Sequence, residues 1–211
     1  MGVPHDSEFQ SRVLQALIDL YDAPEGPVLA DYPEDAPAGN ADDMEGMACP
    51  MRLDAPQNGE ESLEDAVLRE IGELLPWYDL ALERRQRTTV GVSGLAIEDV
   101  ARNLASWLSP TPPTDSINGH TPTALLKLAV EDLRAFYFEA AAGQPQGDTI
   151  GSKQLADWFW GETKAAELLL ELRERLIPDP DPAIQMLGHN SVVPREQWGR
   201  FGIDDRWWHK R

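Results

Sequence analysis

Apolar residues recur at helical spacing in several separate stretches of this chain. Phe9, Val13, Leu17, Leu20 and Tyr21 follow Ser7-Glu8-Phe9-Gln10, a serine with glutamine three residues on, and predict a helix over about 8–21. Ser62 is placed to cap a second helix with the stripe Val67, Ile71, Leu74 and Leu75. Pro76 should kink that helix or start a new one, which runs through Trp77, Leu80 and Ala81 to about Gln86. Ile97, Val100, Ala101, Leu104 and Leu108 mark another, stopped by Ser109-Pro110-Thr111-Pro112-Pro113. Thr121-Pro122 reads as cap and first-turn proline for a helix carrying Leu125, Ala129, Leu133, Phe136, Tyr137 and Ala140, closed by Gly143 and Pro145. Ser152 opens the longest predicted helix, to about Leu176, and Asp181-Pro182 begins a short last one ending at Gly188. Only Thr88–Val92 looks β-like.

The pattern predicts an all-α fold: a bundle of about five to seven helices with an irregular acidic N-terminal segment and an extended C-terminal tail. Residues 1–60 form the N-terminal helix and a Pro/Gly-rich acidic wrap, 61–188 the bundle core, and 189–211 an aromatic tail, all within one domain.

Charge narrows the partners. From Asp19 to Asp65 there are 14 acidic residues and one basic residue, Arg52, and the 211-residue chain carries a formal net charge of -19. Such a field repels phosphates, so neither nucleic acid nor an anionic membrane is expected as a partner. No run of apolar residues is long enough to span a bilayer and the first residues lack a secretory pattern, so a bacterial cytoplasmic location is expected.

Candidate chemistry is sparse. Cys49, in Met47-Ala48-Cys49-Pro50-Met51, is the sole cysteine. As a nucleophile or redox residue it needs a depressed pKa. Asp42, Asp43 and Glu45 push the other way. Arg84, Arg85 and Arg87 lead into Thr88, Thr89 and Ser93, where guanidinium, hydroxyl and backbone donors beside glycines could hold a small anion. Glu162 falls on the apolar seam of the longest predicted helix, with Asp132 and Glu139 on the preceding helix placed to approach it as buried carboxylates. Trp158, Phe159 and Trp160 cannot all face one way, and Trp207 and Trp208 lie near the C-terminus, so Trp158, Trp160, Trp207 and Trp208 are interface candidates. No metal-ligand spacing, phosphate-binding loop or dinucleotide fingerprint is present, and no cofactor is implied.

Five segments together resemble a family of short, largely uncharacterised bacterial proteins: Gly26-Pro27-Val28-Leu29 with Pro33-Glu34-Asp35-Ala36-Pro37, Ala48-Cys49-Pro50, Arg87 to Leu95, the helix around Phe136 to Ala140, and Asp157 to Thr163. The resemblance implies an association with reductases similar to the selenoprotein B component of glycine, sarcosine, betaine and proline reductases. The expected function is a non-enzymatic accessory protein docking on a larger protein partner. The alternatives are a subunit of a thiol-dependent reductase system using Cys49, or a binder of a small anionic ligand at Arg84–Ser93.

Overall fold

The computed structural model describes residues 6–35, 61–145 and 150–203. Among them the only regular elements are helices: α1 (Ser7–Asp19) with a 3-10 turn (Leu20–Asp22), α2 (Leu63–Arg85), α3 (Ile97–Ser106), α4 (Pro122–Gly143), α5 (Ser152–Glu162), α6 (Lys164–Leu176), α7 (Pro182–Asn190) and the single turn α8 (Arg195–Trp198). The chain is all-α. No described helix is long and apolar enough to cross a membrane.

Most helix starts lie where the sequence puts a capping oxygen. Ser62 accepts from the Asp65 amide at 3.1 Å, Thr121 from Ala124 at 3.3 Å and Asp181 from Ala183 at 2.8 Å. At α1 the cap is Asp6, which accepts from Phe9 N at 3.0 Å, so Ser7 is the first helical residue instead of the cap. Helix α2 runs unbroken past Pro76, since burial of both halves against α4 outweighs one missing N–H. Thr88–Val92 forms no strand.

The main departure is at Thr163. The predicted helix Ser152–Leu176 is two helices, because Thr163 takes an extended backbone and its hydroxyl caps α6 through Ala166 N at 3.2 Å. The same hydroxyl donates to Phe159 O at 2.9 Å, closing α5. Gly161, a poor helix former, sits two residues before the break.

The core lies between α2, α3, α4 and α6, with α5 and α7 against its flanks. Val67, Ile71, Val100, Leu104, Leu126, Leu133, Phe136 and Leu169 are fully enclosed there. Residues 189–203, expected as a tail packing on a partner or on the protein's own body, pack on the bundle: Val192, Val193 and Trp198 enter the core, and the Trp198 indole donates to Val193 O at 2.9 Å. Trp158 and Trp160 are core residues as well, so they do not form an open interface. Tyr137, Phe138 and Phe201 surround the three consecutive rings on different sides. Trp207 and Trp208 lie outside the described residues.

Gly143 ends α4 in close contact with the backbone of α2. A Cβ there would overlap the Trp77 carbonyl oxygen and lie 3.1 Å from the Ala81 Cβ. Gly143→Ala is therefore expected to lower stability by about 1–3 kcal/mol in a denaturant titration.

Candidate functional site

Helix α4 carries two carboxylates one heptad apart, Asp132 and Glu139, on the face turned toward residues 88–93. Asp132 is fully buried. Its Oδ1 accepts from the amides of Gly91 at 2.7 Å and Val92 at 3.0 Å. Its Oδ2 accepts from the Ser93 amide at 2.9 Å and from the Ser93 hydroxyl. Gly91 reaches this geometry with φ of 107°, a conformation natural only to glycine. Glu139 accepts from Thr88 Oγ1 at 2.8 Å and, through its other oxygen, from the Thr89 amide at 2.8 Å and Thr89 Oγ1 at 2.7 Å.

The loop therefore is an anion site of successive backbone N–H groups and hydroxyls, and the anions are the protein's own. Thr88, Thr89 and Ser93, read as donors for an external anion, are engaged by α4. Arg84, Arg85 and Arg87 are exposed at the end of α2, where positive charge favours the helix C-terminus.

Asp132 and Glu139 do not meet Glu162. With the break at Thr163, Glu162 is the last residue of α5 and is exposed, so its expected place on a buried seam is corrected. The second buried carboxylate is Glu70 on α2. It reaches the N-terminus of α6, accepting from Lys164 N at 2.8 and 2.9 Å and from Ala165 N at 3.3 Å. The Tyr137 hydroxyl donates to it at 2.8 Å. Burial raises the Glu70 pKa, with the donors from Lys164, Tyr137 and Ala165 opposing it. The Tyr137 hydroxyl is pushed well above its ordinary value by burial and by Glu70. Glu70 lies four residues before Leu74 and three after Val67, on the α2 seam, and that spacing was its signal in the sequence.

These carboxylates splice the fold: Asp132 and Glu139 tie the α2–α3 connection to α4, and Glu70 ties α2 to the α5–α6 break. Cys49 lies outside the described residues. Among the described residues no three His, Cys, Asp or Glu side chains converge where they could hold a metal ion.

A surface of different character lies on α1. Phe9 is buried against Tyr32, ring centroids 6.1 Å apart at 82°, and Arg12 reaches Glu34 at 2.9 Å, so residues 30–34 fold back along the helix. A groove of about 260 Å³ runs between Val13, Ala16, Leu17 and Leu20 on one side and Ala30 to Pro33 on the other. Leu14, Leu17, Ile18 and Tyr21, at steps of three, one and three, are 49%, 57%, 57% and 89% exposed, and Leu29 is 99% exposed. That spacing makes one continuous apolar helix face. No protein-family model, no curated protein and no solved structure matches this chain.

Proposed function

We propose that this protein is a non-enzymatic accessory protein that docks on a larger protein partner through the apolar face of α1. The carrying observation is the open stripe Leu14, Leu17, Ile18 and Tyr21 beside Leu29. Water-facing apolar residues grouped at one-face helical spacing are characteristic of helix-in-groove recognition. The rim of the face is acidic: Asp19, Asp22, Glu25 and Asp31 surround it, while Arg12 is paired with Glu34 and Glu8. The partner surface that fits is an apolar groove edged by Lys and Arg, whose charge speeds encounter and excludes acidic competitors.

The test is capture of the tagged protein from its own host, beside a Leu17→Asp, Ile18→Asp double variant. Both side chains are exposed, so thermal stability should change by no more than about 0.5 kcal/mol. The wild type is expected to retain one stoichiometric partner that the variant loses. Equal retention by the variant, or no stoichiometric partner for the wild type, contradicts the reading.

A further inference from the structure

Helices α4 and α5 and the segment from Pro194 to Arg200 line a cleft of about 550 Å³, a volume suited to a small organic ligand. Phe138, Ala156, Trp160 and Pro194 give it apolar walls. Three cations line it, Arg134, Lys153 and Arg200, against two carboxylates, Asp157 and Glu196.

The charges are unequally matched. Lys153 pairs with Asp157 at 2.6 Å, and Arg200 reaches the same carboxylate at 3.6 Å and the Asp157 carbonyl at 3.2 Å. Arg134 makes no ion pair among the described residues, and its Nε is buried without a hydrogen-bond partner. Burial lowers its pKa, and the fields of Glu131 and Glu196 offset this only in part. A guanidinium stays charged in a protein, so an unmatched, part-buried one is costly unless an anion meets it. Gln197, only 7% exposed, lines the same cleft and brings a side-chain amide to it.

We propose that this cleft binds a small organic monocarboxylate with a flat apolar body, its carboxylate on Arg134 and Gln197 and its body against Phe138 and Trp160. The guanidinium fork fits a carboxylate through two parallel hydrogen bonds. Three cations against two carboxylates leave room for one negative charge, and Asp157 and Glu196 repel a dianion. Flat apolar ligands stack well on aromatic walls.

Benzoate and indole-3-acetate are the probes, titrated into the full chain and followed by calorimetry and by the indole N–H signals. Saturable binding of at least one is expected, with Kd of about 0.1–1 mM. Benzamide, which lacks the charge, and inorganic phosphate, which carries too much, are expected to bind more weakly. Arg134→Gln removes an unpaired cation, so it should fold normally and weaken binding about tenfold or more. Arg134→Lys should recover only part of the loss. Ala156→Trp puts a large ring into the cleft and should abolish binding. Absence of saturable binding by both probes overturns the proposal. So does equal affinity in Arg134→Gln, or phosphate binding as tightly as benzoate.

Discussion

Asp132→Asn is expected to destabilise the protein nearly as much as Asp132→Ala, by about 2–4 kcal/mol, although the amide has the shape of the carboxylate. Both oxygens of Asp132 receive backbone N–H donors, Gly91 and Val92 on one and Ser93 on the other. Whichever way an asparagine turns, its NH₂ group faces a donor. Facing Ser93 is the better choice, because a hydroxyl can rotate to accept, yet the buried Ser93 amide is then left unsatisfied. Glu139→Gln provides the contrast. One of its oxygens meets only the Thr88 hydroxyl, which can rotate, and the site is open to water. A loss below about 1 kcal/mol is expected there. Denaturant midpoints at constant m-value measure both. If Asp132→Asn matched the wild type, Asp132 would not be holding the loop as an anion.

Glu70→Ala is the other large effect. It leaves the Tyr137 hydroxyl and the first amides of α6 without their acceptor, at a cost of about 3 kcal/mol. In a chain of this size that lowers Tm by roughly 6–12 °C. Glu70→Gln should cost less than Glu70→Ala, since Oε2 accepts from all three donors and a glutamine oxygen can occupy its place, the new NH₂ group lying beside the Lys164 amide that Oε1 now shares. The pH dependence separates the two roles. The folded-state pKa of Glu70 lies above its ordinary value of 4.5 because burial disfavours the charge. Between those two values the folded state binds more protons than the unfolded chain. The Glu70 contribution is thus fully present below 4.5 and is lost as pH rises through the raised value. Subtracting the profile of Glu70→Gln from that of the wild type isolates this slope from Glu34 and Glu61, whose pKa values shift downward beside Arg12 and Arg69. A difference that rises with pH would mean that Glu70 is held as a stabilised anion instead.

The fold was largely legible because its punctuation is local. Thr121-Pro122, Asp181-Pro182 and the prolines after 108 mark helix ends through effects that act within a turn. The break at Thr163 escaped because the apolar spacing continues across it. What enforces it is Glu70, 94 residues from Lys164, supplying an acceptor for the new helix start. Tertiary acceptors of that kind leave no trace in periodicity.

At the site, the sequence identified the right residue types and mispaired them. Thr88, Thr89 and Ser93 do bind anions, and Asp132 and Glu139 are carboxylates held by another element. Each set answers the other, and a distance of about 40–50 positions hides the match. Trp160 was ambiguous for a related reason: a ring on one side of a helix can face a partner or a docked end of its own chain, here the segment through Phe201, while Trp158 packs on Tyr137 of α4. The sequence spacing predicted α1 as a helix but not that Leu14, Leu17, Ile18 and Tyr21 stay uncovered, because spacing reports amphipathicity and not what covers it.

The most direct measurement places a photo-crosslinking amino acid at Leu17 in the living host, with a control at the exposed Arg102 on α3. One crosslinked polypeptide partner is expected from position 17 and none from position 102. Crosslinks from position 17 confined to the protein's own bundle, or the same products from both positions, would contradict docking through α1.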